Sequence, residues 1–345
     1  MSASNFNPAV DILIPTYKRP ELLTRAVASC LAQKYKNIRI VISDNASGDS
    51  TDRIGTGLAN LYPDKVVYSS NKENLGMTGN WVKLLKDLSS ADYCLLLSDD
   101  DYLVDSNFIE ESINKINSYR ARGENISLAF GNVIVVAEKS SPKLTKACRF
   151  NWPEFIDSEV LLNKWRVKAK NTFNHIPLCG CIFSREIAIS CNPFNSNMPS
   201  SDFELWWKMI LSGNPGLFIK SYSSAYVIHG ENEADRNNYN LKDWIYNYRS
   251  LINPFNDFIK NNKTKNKILD LFRFRRILAG SLIDNTGIDL NINFWSFFYK
   301  IYSYDKEVTR YLIFTFIFAP KIWIYILIRP IVRKIKRKFN LIYKN

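Results

Sequence analysis

Tyr93-Cys94-Leu95-Leu96-Leu97-Ser98-Asp99-Asp100-Asp101 constrains this chain more than any other stretch. Five apolar or aromatic residues in a row predict a strand buried on both faces, as in a parallel sheet covered by helices. Three carboxylates follow at once, and like charges so close repel unless a cation balances them. In open α/β sheets, ligands bind at the carboxyl ends of strands. Two readings fit the cluster. One is a divalent-cation site, whose hard oxygen ligands suit Mg²⁺ or Mn²⁺, with a phosphate completing the shell. The other is a solvated acidic turn capping the next helix.

The surrounding pattern favours a sheet wound with helices. Val10 to Ile14 reads as a first strand closed by Pro15, and a helix follows from about Glu21 to Gln33, with Leu22, Leu23, Ala26, Val27, Cys30 and Leu31 at helical spacing. Ile38 to Ile42 is a second strand, ending in the turn formers Ser43 to Ser50. A helix over about 51–61, a strand at Val66 to Tyr68, a polar loop from Asn71 to Gly79 and a helix from about Asn80 to Leu88 lead into the acidic strand. This alternation is the signature of βαβ units and a largely parallel sheet. Further on, a helix is expected from Asn107 to Ala121, and a strand from Ile126 to Val136 that breaks near Gly131. Strands are expected at Ile176 to Phe183, Gly216 to Ile219 and Ala225 to Ile228, and an aromatic helix from Asp202 to Leu211.

Charge separates the chain into two parts. Formal net charge is +13, but residues 1–230 carry 25 Lys and Arg against 23 Asp and Glu, whereas residues 231–345 carry 21 against 10. A basic excess confined to one end argues against nucleic acid as a partner of the whole chain. Tyr311 to Ile328 is nearly all apolar, with Pro320 and Lys321 in its middle, and seven Lys or Arg follow between Arg329 and Asn345 without one acid. Three readings stand: an interfacial anchor on an anionic leaflet, a spanning or hairpin segment, and a buried helix with a solvated tail. Met1 to Pro8 is polar and has no signal-like apolar core, so the six cysteines are expected as free thiols in a reducing cytoplasm. Cys179-Gly180-Cys181 is too tightly spaced for a usual zinc pair, and only two His exist.

Pro15-Thr16-Tyr17-Lys18-Arg19 after the first strand, Ser43-Asp44-Asn45-Ala46-Ser47 after the second and Ser98-Asp99-Asp100-Asp101 after the acidic strand occur in that order. Together they resemble the nucleotide-sugar-binding half of the family 2 glycosyltransferases, inverting enzymes of GT-A fold. Asn71 to Asn80 is similar to the loop before that family's donor-contacting helix, and the resemblance covers about residues 9–230. It implies an α/β GT-A catalytic domain over residues 1–230, with nucleotide-sugar binding over about 9–135 and the acceptor side over about 136–230. A helical, basic, membrane-associating region follows over 231–345.

The resemblance also implies roles. Asp100 is the expected direct metal ligand, with Ser98 and Asp99 on the donor side, Asp99 reaching ribose or metal, and Asp101 either ligating or capping the next helix. Asp44 stands where the family hydrogen-bonds the base. Pro15, Thr16 and Tyr17 supply backbone and ring contacts to the base. Asn74 and Asn80 face the donor, Asn80 with a helix cap as its other reading. Arg19 meets phosphate or is a solvated surface residue. His229, after the last strand, reaches metal or diphosphate, or is structural. Asp202, opening the aromatic helix, matches the family's general base, which takes the acceptor hydroxyl's proton. A helix cap is its rival role, and Glu204 is the second candidate. Trp206 and Trp207 are core residues or a sugar platform. His175 is structural or on the acceptor side, and 230–239 is a flap over the donor.

The expected activity is metal-dependent transfer of one sugar, with inversion, from a nucleoside-diphosphate sugar to a hydroxyl of a polyprenyl-diphosphate-linked glycan. UDP is the first choice of nucleotide. The expected setting is bacterial O-antigen or capsule synthesis at the cytoplasmic face of the inner membrane. Two rival readings fit the sequence less well. A sugar-1-phosphate nucleotidyltransferase needs a glycine-rich loop after the first strand, and Pro15 to Arg19 has no glycine. A non-enzymatic, membrane-peripheral polyanion binder leaves the ordered acidic motifs without a role.

Overall fold

Val10–Thr16 forms β1, the strand on which the first half of the sheet is built. It pairs in parallel with β2 (Ile38–Asp44) on one side and β4 (Tyr93–Leu96) on the other, and β3 (Val66–Ser70) extends the sheet beyond β2. The computed structural model describes residues 6–138, 144–167, 176–194, 201–229, 241–261, 299, 301–306, 308–310 and 313. The chain divides into two units, Met1–Lys164 with Asn171–Arg236, and Trp165–Lys170 with Asn237–Asn345.

Within the first unit, helices α1 (Pro20–Leu31), α2 (Ser50–Leu61), α3 (Gly76–Lys83) and α4 (Phe108–Arg120) follow the early strands. The remaining elements are β5 (Tyr102–Leu103), β6 (Leu128–Ala137), β7 (Leu144–Cys148), β8 (Phe155–Ile156), α5 (Ser158–Val167), β9 (Cys181–Ser184), α6 (Arg185–Ser190), α7 (Ser201–Leu211) and β10 (Gly216–Ile228). The sheet order is β3-β2-β1-β4-β9-β6-β10-β5, with β7 on β6 and β8 on β10. The apolar spacing of α1 and α4 is used as expected: Leu23, Ala26, Val27 and Cys30 of α1, and Phe108, Ile109, Ile113 and Ile116 of α4, are buried against the strands. All six cysteines are free.

Strand directions place the site. β9 runs antiparallel to both β4 and β6, and β10 runs parallel to β6. β10 therefore runs the same way as β4 and β1, and the residue after β10 emerges on the edge where β1, β2 and β4 end. Register tightens this: Thr16 lies beside Asp44, and Leu13 beside Leu96, two residues before Ser98.

One buried acid lies inside the sheet. Asp11 of β1 faces Arg39 of β2 in register, at 2.9 and 2.7 Å through both carboxylate oxygens. Ser89 Oγ donates to the same carboxylate at 2.8 Å. Burial alone raises an acid's pKa; Arg39, Ser89 and the Ser90 N–H outweigh it and hold Asp11 below the usual carboxylate value. Ser89 reaches this position because α3 continues into a π-helical turn, Leu84–Leu88, closed by Ser89 N–H on Leu84 O at 2.9 Å. The sequence pattern had read this stretch as one helix.

Two expected short strands, Gly216 to Ile219 and Ala225 to Ile228, are one strand. β10 has 13 residues against 10 in β6, and the register slips between Phe218 and Ser224. This is a bulge: the run Lys220 to Ser224 carries the extra residues, pairing with β6 at Tyr222–Asn132 and Ser224–Val133 before regular register resumes. Gly131 does not break β6. It makes room for the bulge, since a Cβ there would meet Ser221 O at 2.8 Å. The strand expected at Ile176 to Phe183 is confined to β9, because Gly180 (φ +72) turns the chain first.

In the second unit, α8 (Leu241–Asn261) buries Ile245, Ile252, Phe255, Phe258 and Ile259, and Arg249 pairs with Asp305 at 3.0 Å. Among the described residues no helix is long and apolar enough to cross a membrane. The anchor expected at 311–328 lies, apart from residue 313, outside the described residues, as do the basic run at 329–345, the flap at 230–239 and His175.

Candidate active site

The three aspartates after β4 are not a solvated turn. Asp99, Asp100 and Asp101 are all buried, and each points to a different part of the edge. Asp99 turns back to β1, where Thr16 Oγ1 donates to its Oδ2 at 2.8 Å. Arg19, at the N-terminus of α1, donates through Nη1 to Asp99 Oδ1 at 3.0 Å and to Asp100 Oδ2 at 2.8 Å. His229 Nε2 lies 3.0 Å from that same Asp100 oxygen. Arg25, one and a half turns further along α1, donates to the Asp100 carbonyl and pairs with Glu138, both at 2.6 Å. Asp101 turns onto β10, accepting from the Val227 N–H at 2.9 Å.

Electrostatics follow from this crowding. Burial pushes Asp99 up to about 6, with Asp100's charge adding and Arg19 opposing. Burial, then Asp100, hold Asp101 well above the usual range, against hydrogen bonds from Val227 and Cys179. Arg19 would be weakened by its own burial, but the two carboxylates outweigh that and raise it. The cluster thus carries more negative charge than its own cations settle, and a cation fits it. Carboxylate oxygen suits both Mn²⁺ and Mg²⁺, and an imidazole nitrogen beside it favours the transition metal Mn²⁺. Among the described residues no three His, Cys, Asp or Glu converge as a ready-made cage. What converges is Asp100 with His229. Asp101 braces β10 in this geometry, and ligation through Oδ1 requires it to release the Val227 N–H.

The ends of β1 and β2 are tied together beside the aspartates. Lys18, at φ +56, donates its N–H to Ser47 Oγ at 2.8 Å, and Asn45 N–H reaches Thr16 O at 2.9 Å. Asp44 is fully buried. Its Oδ1 accepts from Ser47 N–H and Oγ–H at 2.9 and 2.6 Å, and its Oδ2 from Tyr68 OH at 2.8 Å. A base that donates to Asp44 must use the lone pairs these leave. Tyr17 is 42% exposed beside this point, with Lys18 Nζ over its ring at 5.2 Å from the centroid. Asn74 and Asn80 belong to a side-chain network. Asn45 Nδ2 donates to Asn74 Oδ1 at 2.9 Å, while Ser43 Oγ and Asn71 Nδ2 donate to Asn80 Oδ1 at 2.6 and 3.0 Å. Asn80 is buried within α3, not at its cap, so of its two expected roles the cap is excluded. Pro15 and Ser98 lie at the same strand ends.

Asp202 approaches through β9. Cys179 hydrogen-bonds Asp101, and the thiol of Cys181, raised by burial, is raised further by the charge of Asp202. The tripeptide Cys179-Gly180-Cys181 therefore lies between the metal-type cluster and the start of α7. Asp202 is buried, its Oδ1 has no hydrogen-bond partner, and burial pushes it up to about 7 against the N–H groups of Phe203 and its own residue. Glu204 is already committed to Lys208, at 2.6 Å one turn on. Trp206 and Trp207 are core residues: both are buried, with Trp206 5.1 Å from Phe183 and Trp207 6.2 Å from Phe203. A sugar platform needs an open ring face, which neither presents.

Residues the sequence did not single out are Arg25, Ser47, Tyr68 and Asn71. Each contacts the site through tertiary structure, and only Ser47, inside the motif after β2, and Asn71, at the start of the loop before α3, carried a local signal.

Residues 11–136 match the family described as Glycosyl transferase family 2. A glycosyltransferase of Rickettsia felis is 27% identical over 205 residues, covering 59% of this chain and 31% of that protein. The GalNAc(5)-diNAcBac-PP-undecaprenol beta-1,3-glucosyltransferase of Campylobacter jejuni is 29% identical over 137 residues, covering 39% of this chain and 41% of that protein. The chain spans about a third of the length of the Rickettsia relatives. Among solved structures, Staphylococcus aureus TarS 1-349 in complex with UDP aligns at TM-score 0.56 and 13% identity, over 83% of this chain and 74% of that one. Mannosyltransferase PcManGT from Pyrobaculum calidifontis, in complex with GDP-Man and Mn²⁺, aligns at TM-score 0.53 and 14% identity, over 90% and 86%. At such identities the likeness is one of fold, and the mixed sheet described above is the GT-A sheet.

Proposed function

We propose that this chain, whose residues 11–136 match the family described as Glycosyl transferase family 2, moves one sugar, with inversion, from a nucleoside-diphosphate sugar to a hydroxyl of a lipid-linked glycan. The observation that carries the reading is Asp202: a buried carboxyl with an unpartnered oxygen, raised to about 7, one tripeptide away from a cation-poor acidic cluster. A base with that pKa is half ionised near neutral pH and takes a proton from an acceptor hydroxyl as the oxygen attacks. Glu204, the second candidate, has one carboxylate oxygen tied to Lys208 at 2.6 Å.

On the donor side, Asp100 and His229 hold Mn²⁺ or Mg²⁺, whose charge offsets that developing on the diphosphate leaving group. Asp101 fixes the β10 end that presents His229. Asp99, steadied by Thr16, faces the ribose side. Tyr17 and the strand-end loops carrying Pro15, Asp44, Asn74 and Asn80 form the base pocket. The nucleotide complexes of the two structural neighbours support this assignment, with UDP as first choice of donor nucleotide. The relative from Campylobacter jejuni, a PP-undecaprenol glucosyltransferase by name, supports a polyprenyl-diphosphate-linked acceptor in bacterial surface polysaccharide synthesis. Residues 1–230 are the catalytic domain in this reading, and 231–345 hold it to the cytoplasmic face of an anionic membrane.

The direct experiment supplies the purified full chain with Mn²⁺, a membrane-lipid extract and a panel of UDP-, dTDP- and GDP-sugars. Release of nucleoside diphosphate from one of them, abolished by EDTA, is the expected result. No metal-dependent release from any donor overturns the reading. Membrane association is tested separately by removing residues 311–345, which carry seven Lys and Arg from Arg329 onward. The shortened chain is expected to lose sedimentation with vesicles containing phosphatidylglycerol, each lost cation weakening binding by roughly 1 kcal/mol. Unchanged sedimentation places the anchor elsewhere.

A further inference from the structure

We infer that Arg19 competes with a cation for Asp100 and passes to the donor's diphosphate when metal binds, coupling the two binding events through one side chain. This rests on the metal reading of Asp100 and His229 given above. A carboxylate oxygen offers two lone-pair directions. Asp100 Oδ2 has both occupied, by Arg19 Nη1 at 2.8 Å and by His229 Nε2 at 3.0 Å. A cation held jointly by Asp100 and His229 competes with Nη1 for that oxygen and repels a guanidinium that never gives up its charge.

Arg19 has somewhere to go. Its contact with Asp99 Oδ1 at 3.0 Å keeps it tethered when Asp100 is lost. Its side chain is 25% exposed, whereas those of Asp99 and Asp100 are 5% and 10% exposed, so Arg19 is the member of the cluster nearest to solvent. Its backbone is rooted at the start of α1, just after Lys18 in the left-handed region (φ +56), so the head turns about a fixed base. A nucleoside diphosphate that joins the cation brings phosphate oxygens to this edge, and a planar guanidinium fork binds phosphate well. A merely structural ion pair predicts the opposite behaviour: removing Arg19 then disorders the aspartates and weakens metal binding.

The test measures Mn²⁺ binding to the full chain from the EPR signal of the free ion, with and without UDP, for wild type, Arg19→Gln, Arg19→Met and Asp100→Asn. Arg19→Met keeps the alkyl stem in case the amide is not accommodated, and near-UV circular dichroism checks the fold of each. Without nucleotide, the two neutral variants are expected to bind Mn²⁺ roughly five-fold more tightly than wild type, the scale of one charge pair. The factor by which UDP tightens Mn²⁺ binding is expected to shrink correspondingly. If folded Arg19 variants bind Mn²⁺ no more tightly, or UDP tightens binding as much as before, the hand-over is wrong. Asp100→Asn separates the two ideas. Loss of Mn²⁺ there with Arg19 variants at wild-type affinity sinks the hand-over alone, and unchanged Mn²⁺ affinity there sinks the metal reading with it.

Discussion

Asp202→Asn is expected to lower sugar transfer by roughly 10²- to 10⁴-fold, the usual contribution of a positioned base, while Mn²⁺-dependent nucleotide binding stays at the wild-type level. The same variant is expected to be more stable than wild type at pH 8. Both effects come from one fact, that burial lifts the Asp202 carboxyl from 3.8 to about 7. Below the unfolded value the group is protonated in both states and favours neither. Between that value and about 7 the unfolded chain releases its proton while the folded chain keeps it, so stability falls as pH rises. Above about 7 the penalty is complete. A shift of this size corresponds to at most about 4 kcal/mol, an upper bound for a buried group. An asparagine cannot ionise and escapes it.

The two readouts exclude different alternatives. A helix-capping aspartate whose charge favours folding predicts that the amide loses stability, usually by about 1 kcal/mol. A base held neutral by burial predicts a melting temperature several degrees higher at pH 8 and no difference near pH 4. In wild type, kcat/KM is expected to rise with pH and level off above about 7, since the carboxylate is the working form. Transfer by Asp202→Asn within a few-fold of wild type removes Asp202 from the base role.

How far the sequence led can be judged residue by residue. The apolar runs of β1, β2 and β4 and the turn motifs after them lie within a few residues of one another, so local pattern places the donor edge well. Thr16, Asp44 and Asp99 meet because parallel strands in register end together, and alternation of strand and helix already implied that. His229 was legible only as a residue after a strand. Its arrival at Asp100 depends on β9 being inserted antiparallel between β4 and β6, which turns β10 to the same direction as β4. No periodicity announces that insertion. The bulge in β10 escaped for a related reason: Lys220 to Ser224 is polar and looks like a loop, yet it stays in the sheet because Gly131 on the neighbouring strand leaves space for it. Trp206 and Trp207 were ambiguous because an aromatic pair reads the same in sequence whether it faces a core or a sugar. Phe183 on β9 decides it for Trp206.

Asp100→Ala is expected to abolish Mn²⁺-dependent nucleotide binding and to lower transfer by roughly 10³-fold or more, since a divalent cation is worth several kcal/mol to a developing diphosphate charge. The variant tests position, not folding. Asp100 is one of three adjacent buried carboxylates, and its charge raises Asp99 and Asp101, so its removal relieves repulsion within the cluster. Arg19 keeps Asp99 as a partner, and Asp101 keeps the Val227 N–H. The contacts that disappear are those of Asp100 Oδ2 with His229 Nε2 and with Arg19 Nη1. Stability within about 1 kcal/mol of wild type is therefore expected in urea titration, alongside complete loss of the Mn²⁺-dependent part of UDP binding in calorimetry. Retained metal-dependent binding by a folded Asp100→Ala protein moves the cation away from the end of β4, and with it the assignment of His229.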